Sequence, residues 1–293
     1  MATRTFAKAP STAPLMLKAA LPAIPGVGSL PGVKHASGGA PDLVLQRPGV
    51  ATDADHLERY REVCGFGRAE SLPVTYPHMA AFGLHMALMT DTAFPFAPMG
   101  LVHLRNAITQ HRPIAPDETF DVTVQAADLR PHPKGRLIDL ITDVTVQDEI
   151  VWNEVTTLFA RGRGGSAETS PAPLEGLEAP SSVVHWKLAG NLGRRYGAVS
   201  GDRNPIHLYP LTAKAFGFPT NIAHGMWTKA HALAALANRL PDSYRVDVEF
   251  KKPILLPSTV VFGSREAGGV IDLGVVGARK PDTHMVGRVT PLA

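Results

Sequence analysis

The stretch Tyr196-Gly-Ala-Val-Ser-Gly-Asp-Arg-Asn-Pro-Ile-His-Leu208 holds the residues best suited to chemistry. Asp202 is a carboxylate and His207 an imidazole. Held near one another, such a pair can share one water: the acid fixes the charge and orientation of the ring, and the two groups take and return protons. Gly201 can adopt the positive φ of a helix stop, and Pro205 keeps Asn204 from continuing a helix. Asp202, Asn204 and His207 are therefore expected on a rigid, exposed turn. A second reading fits the pattern as well: Asp202 and Asn204 as caps of a following helix.

Those residues need elements to hold them. Residues 162–182, crowded with Gly, Pro and Ser, read as an exposed linker. It joins a block at 42–161 to a block at 183–293, each long enough for its own core, with residues 1–41 as an N-terminal arm. The blocks look like copies. Gln110-His-Arg-Pro-Ile-Ala-Pro-Asp-Glu-Thr119 in the first parallels Phe250-Lys-Lys-Pro-Ile-Leu-Leu-Pro-Ser-Thr259 in the second. A strand-like run precedes each, 99–109 and 244–250, and alternating strand residues follow. Before that run each block carries a long apolar helix. The second is predicted from about Gly225 to Leu240, with Met226, Ala230, Leu233, Ala237 and Leu240 on one face. The first is predicted from Pro77 to Asp91, with Pro at its first turn. A short helix, a long apolar helix and three or four strands per block fit an α+β class in which an antiparallel sheet wraps a central helix. That is a hotdog fold, present twice in tandem.

The repeat also separates the two readings of the polar turn. Tyr60-Arg-Glu-Val-Cys-Gly-Phe-Gly67 aligns with Tyr196-Gly-Ala-Val-Ser-Gly-Asp-Arg203. Tyr, Val and Gly match, but Phe66 stands at the place of Asp202 and Ser71 at that of His207. Residues needed only for folding would be needed in both copies. The asymmetry favours a functional role in the second copy, with the first as its support.

Composition narrows the function. The net charge of +3 comes from the arm, where Arg4, Lys8, Lys18 and Lys34 meet no acid, leaving 25 basic against 26 acidic residues over 42–293. No broad basic footprint for nucleic acid remains. The single cysteine, Cys64, excludes an internal disulfide framework and a Cys-rich zinc site, and fits a reducing cytoplasm. No apolar run reaches the ~20 residues of a membrane-spanning helix. Gly26-Val-Gly-Ser-Leu-Pro-Gly32 lacks a preceding strand and carries Pro31 at the helix start, so it is not a dinucleotide loop. Ser200 has no nucleophile-elbow frame. His78, His85 and His103 have no carboxylate at ligand spacing and read as core or surface histidines; no metal is expected.

The motif Tyr-x-x-Val-Ser-Gly-Asp-x-Asn-Pro-Ile-His, with Ala223-His-Gly-Met226 following, resembles the R-specific enoyl-CoA hydratase signature of MaoC-like proteins. The tandem arrangement, with Leu72-Pro-Val-Thr-Tyr-Pro77 and Gln110-His-Arg-Pro-Ile114, is similar to the actinobacterial double-hotdog (3R)-hydroxyacyl-thioester dehydratases. The resemblance implies syn hydration of a trans-2-enoyl thioester and the reverse dehydration. Asp202 and His207 would activate the water and Asn204 would orient the pair. The backbone N–H of Gly225, at the start of the apolar helix, would receive the charge that builds on the thioester oxygen. Ser200, Gly201, His224 and Met226 are expected to line the substrate site. Lys251 and Lys252 are candidates for coenzyme A phosphates, with a solvated strand end as the alternative. Leu233 stands where some bacterial relatives carry a serine, so no third polar group is assigned. No cofactor is implied, because the substrate carries coenzyme A or the phosphopantetheine of acyl carrier protein. A homodimer is compatible with this reading. The fold also hosts thioesterases, and a non-catalytic acyl-binding module is the third alternative.

Two expectations remain. Met79, Met86, Met89 and Met99, interleaved with Phe82, Phe94 and Phe96, read either as ordinary core or as a pocket in which Met86 and Met89 line an acyl tail. The arm, up to about Pro41, is expected to be loosely packed and dispensable, although Leu15 to Leu21 could dock on the body.

Overall fold

The computed structural model describes residues 2–20, 38–162, 174–181 and 183–292. They form two compact units that do not follow chain order: Met1–Ala51, Pro77–Asn106 and Glu118–Ala172 make one, and Thr52–Tyr76, Ala107–Asp117 and Pro173–Ala293 make the other. Two short segments of the first sequence block thus belong with the second. Among the described residues no helix is long and apolar enough to cross a membrane.

The first unit contains β1 (Ala2–Thr5), α1 (Thr12–Ala20), β2 (Leu43–Val50), α3 (Pro77–Met89), β3 (Leu101–Gln110) as far as Asn106, β4 (Phe120–His132), β5 (Gly135–Val146) and β6 (Glu149–Arg161). The strand order is β1-β2-β4-β5-β6-β3. Helix α3 is apolar all round and nine of its 13 residues are buried, as a helix wrapped by a sheet must be. It packs on β2, β4 and β5.

Residues 2–20 of the arm are not loose. Strand β1 pairs in parallel with β2, from Ala2↔Leu43 to Thr5↔Gln46, and Arg4 meets Asp91 at 3.3 Å. In α1, Leu15, Met16 and Ala19 fall on one face and pack with Phe82, Met86, Met89 and Met99. Met86, Met89 and Met99 therefore sit beneath the arm's own helix. Residues 21–37, including the Gly26–Gly32 stretch, lie outside the described residues. Because α1 buries part of two large apolar side chains, removing residues 1–37, and α1 with them, is expected to cost about 2–4 kcal/mol. A chain starting at Gly38 should melt several degrees lower than the full chain; equal melting temperatures would return the arm to a dispensable tail.

A buried polar cluster also departs from expectation. His78 does have a carboxylate partner: its Nδ1–H donates to both oxygens of Glu154, at 2.8 and 2.9 Å. Asn106 donates to Glu154 Oε1 at 2.7 Å and to Thr156 Oγ1 at 3.0 Å, and His85 Nε2 lies 2.7 Å from Thr142 Oγ1. Burial alone would raise the Glu154 carboxyl, but His78, His85 and Asn106 hold it down to about 2. Burial, with His78 beside it, pushes His85 down to about 3. One donor atom each from His78, His85 and Glu154 lie within 4.8 Å of one another, a spacing that could also hold a metal ion.

The second unit contains α2 (Ala54–Cys64), β7 (Val184–Leu188), α4 (Leu192–Ser200), α5 (Pro205–Leu208), α6 (Pro210–Ala215), α7 (Gly225–Ala234), β8 (Tyr244–Phe250), β9 (Ser258–Ala267), β10 (Val270–Gly277) and β11 (Thr283–Pro291). Its antiparallel strands run in the order β8-β11-β10-β9-β7. Helix α7 stops at Ala234, six residues before the predicted Leu240. Leu236 leaves helical geometry (φ −107°, ψ 1°) and is buried instead of Ala237, which faces solvent in a short 3-10 turn. Part of the predicted linker is packed too. Leu174 is buried, and Ala179 to Ser181 lie against Gly263 and Gly274, a cross-strand pair where any side chain would collide with them.

The internal repeat is visible in three dimensions. Tyr60 and Tyr196 are both buried, and Gly65 and Gly201 end α2 and α4 at φ 83° and 75°. The Leu72 N–H donates to the Ile114 carbonyl as the Ala223 N–H donates to the Ile254 carbonyl.

Candidate active site

Helix α4 carries the polar turn on two glycines. Gly193 and Gly197 lie on its buried side; a Cβ at Gly193 would overlap the His207 carbonyl, and one at Gly197 would come within 2.8 Å of the Asp202 carbonyl oxygen. Sequence reasoning missed this pair, though its signal was present: two glycines four apart on the buried face of a helix. Replacing Gly193 by Ala should push α5 off α4, costing about 1–3 kcal/mol as overpacking does. Activity should fall with it; a Gly193→Ala protein with normal melting and turnover would refute the seating.

After Gly201 the chain is held by its own polar side chains. Asp202 N–H donates to Ser200 Oγ (3.1 Å), Asn204 N–H to Asp202 Oδ1 (3.1 Å) and Ile206 N–H to Asn204 Oδ1 (3.3 Å). Asn204 is the N-cap of α5, with Pro205 in its first turn. The capping reading is thus realised at Asn204. The Ser200 and Asn204 side chains bond the main chain, and the Asn204 carbonyl accepts the His207 N–H at 3.0 Å.

His207 is not displayed on an exposed turn; it is 8% exposed. Its Nδ1 lies 2.9 Å from the Ile222 carbonyl. A carbonyl only accepts, so Nδ1 carries the proton and the neutral ring keeps its lone pair on Nε2. Burial lowers the His207 pKa, opposed by Asp202 and the Ile222 bond. Asn221, also missed from sequence, is 1% exposed and its amide donates to the carbonyls of Gly190 (3.0 Å) and His207 (3.3 Å).

His224 completes the cluster. Its Nε2 donates to the Asp202 carbonyl at 3.0 Å, and its ring stacks on His207 with centroids 3.7 Å apart. One Asp202 carboxylate oxygen and one ring nitrogen from each histidine lie within 4.8 Å of one another. A water making bonds of ~2.8 Å can bridge groups at that separation, and the same donor set could hold a metal ion. Next in the chain, Gly225 opens α7. The His224 side chain makes no cap bond to the first N–H groups of α7. Phe250 lies so close to Gly225 that a Cβ there would sit 3.0 Å from its ring. Met226 is buried beside it.

The first block supports this site through α2. His56 Nε2 donates to the Val199 carbonyl at 2.7 Å, at the end of α4. Trp227 and His231 of α7 donate to the Val63 and Cys64 carbonyls at the end of α2, at 2.9 and 2.8 Å.

Lys251 pairs with Glu249 at 2.9 Å, and Lys252 pairs with Asp282. Lys252 lines a cavity of about 830 Å³ with Lys187, Phe218, Leu255, Arg279 and Lys280; neither Lys251 nor Asp202 and His207 line it. Met86 and Met89 belong to the other unit, under α1.

A profile of the MaoC-like domain matches residues 179–275, the stretch that spans Asp202 to Gly225. The 3-hydroxyacyl-thioester dehydratase X of Mycobacterium tuberculosis is 41% identical over 241 residues, 82% of this chain and 86% of that protein. The chain belongs to the MaoC-like dehydratase family. The enoyl-CoA hydratase ChsH3 of M. tuberculosis is 26% identical over 69% of this chain and 72% of its own. The crystal structure of M. tuberculosis HtdX superposes with a TM-score of 0.76 at 37% identity, covering 85% of this chain and 100% of that one. The M. tuberculosis protein RV0216, described as a double hotdog, superposes at 0.50 with 13% identity, over 84% and 93% of the two chains, and shows the fold alone. This MaoC-like chain is a double hotdog, as its repeat implied.

Proposed function

We propose that the protein interconverts (3R)-3-hydroxyacyl and trans-2-enoyl thioesters, with Asp202 and His207 as the proton-handling pair. One observation carries the assignment: the Ile222 carbonyl fixes the Nδ1–H tautomer of His207, so a basic Nε2 remains in a buried ring close to the Asp202 carboxylate. In hydration the pair holds a water. As its oxygen bonds to Cβ, one proton passes to the pair, and the pair returns one proton to Cα on the same face. Dehydration runs the same steps backwards. The Gly225 N–H, at the N-terminus of α7, receives the charge on the thioester oxygen in this reading, where the helix dipole favours it. Stacking by His224 and the Asn221 clamp keep His207 in place while this happens. The acyl carrier is coenzyme A or acyl carrier protein. The buried free thiol of Cys64 supports a reducing compartment.

Crotonyl-CoA tests the proposal in one assay. A hydratase removes the conjugated-enone absorbance without releasing thiol. Thiol release would make the protein a thioesterase, and no change at all would make it an acyl-binding module.

A further inference from the structure

We infer that His224 is a positioning residue for both members of the pair: its Nε2–H is bonded to the Asp202 main-chain carbonyl at 3.0 Å, and its ring lies on that of His207, 3.7 Å between centroids and 26° between planes. The inference rests on the dehydratase reading and gives His224 a different role from contact with substrate.

The bond to a carbonyl places the proton on Nε2, so the lone pair is on Nδ1. That atom is buried and finds no hydrogen-bond partner among the described residues. An unpaired buried acceptor is unfavourable, and an apolar ring of the same size would avoid it. The imidazole is retained here for its one donor and its flat face. The ring is 3% exposed and backed by Tyr196, with centroids 4.9 Å apart, so it cannot swing away. Its Nε2 is 3.7 Å from Asp202 Oδ2, too far for a hydrogen bond. Asp202 is thus held by its main chain, and Oδ2 stays available to a water. Burial, with His207 beside it, keeps His224 down to about 3, so it stays uncharged and does not compete for the proton that His207 handles.

The full chain carrying His224→Phe, His224→Gln or His224→Ala, assayed on crotonyl-CoA with melting curves alongside, tests this. Phe keeps the stacked ring and loses the donor, Gln keeps a donor and loses the ring, and Ala loses both. Misplacement of catalytic groups predicts kcat lower by about 10-fold for Phe and Gln and about 100-fold for Ala, with KM within about twofold. The acid limb of kcat should stay in place for Phe and move to higher pH for Ala, as water reaches the His207 ring. The groups that act on that ring are common to all variants: Asp202 beside it and the Ile222 carbonyl on its Nδ1–H, while Tyr196 packs on the side chain at 224. Folded Phe and Gln variants with wild-type kcat would overturn the inference, and so would a raised KM at unchanged kcat. Those two variants decide the matter if the Ala protein does not fold. Full dependence on Asp202 with indifference to His224 would remove this inference alone; an inactive wild type would remove the dehydratase reading and the inference with it.

Discussion

Asp202→Asn and His207→Gln each slow hydration of crotonyl-CoA by about 10²–10⁴-fold, the range for general acid–base groups. The Asn variant keeps an Oδ1 that can accept the Asn204 N–H, so the turn persists while the charge is lost. Glutamine at 207 retains a donor for the Ile222 carbonyl but offers no basic nitrogen. Melting temperatures should therefore change little while turnover collapses. The pH profile adds a second check. Burial holds His207 below the ordinary imidazole range, so the neutral, basic form survives as pH falls through ~6.5. Activity should be lost only at lower pH. A folded variant with near-full turnover, or an acid limb above the ordinary imidazole value, would defeat the assignment.

Glu154→Leu should destabilise the fold by about 3–5 kcal/mol, because it leaves the His78 and Asn106 donors buried without their acceptor. Replacing His78 by Leu at the same time should recover part of the loss, since a pair exchanged for packed apolar groups is far less costly than a pair broken. Acidification acts on the same cluster. Buried neutral His85, held at about 3, contributes stability above its unfolded value near 6.5 that is lost progressively as pH falls toward 3. Glu154, held at about 2, adds a second loss between its unfolded value near 4.5 and 2. Melting temperature should decline from just below pH 6.5, and the Glu154→Leu protein should lack the lower component. A melting temperature flat from pH 7 to 4 would contradict this account.

Local rules made the polar turn legible. A helix stop at Gly201, a proline that forbids helix at Asn204 and an Asx cap are all encoded within a few residues, and φ 75° at Gly201 follows from them. Strand β8 appears at Tyr244–Phe250 as its alternation requires. What could not be read depends on partners far along the chain. His78 meets Glu154 across 76 residues, and no spacing rule covers a pair brought together by a helix and a strand of one sheet. Among the described residues of helix α1, Leu15, Met16 and Ala19 form the packed face, and their value appears only when α3 offers a matching surface. The burial of His207 was misjudged because a polar turn suggests exposure, whereas Asn221 and Ile222 cover this one from a segment fourteen residues on. His224 was visible in the motif, but its stacking direction is a property of packing.

The membership of α2 in the second unit bears on the order in which the protein can assemble during synthesis. Its contacts to Val199, Trp227 and His231 span 143 to 167 residues. When α2 leaves the ribosome none of those partners has been made, so the carbonyls at its end wait until most of the remaining chain has been translated. Contacts of such separation slow folding and prolong the life of partly assembled intermediates. Dividing the gene within 162–182 would yield a C-terminal product missing the helix that ties α4 to α7, and that product should be recovered folded only when the N-terminal product is supplied in the same cell.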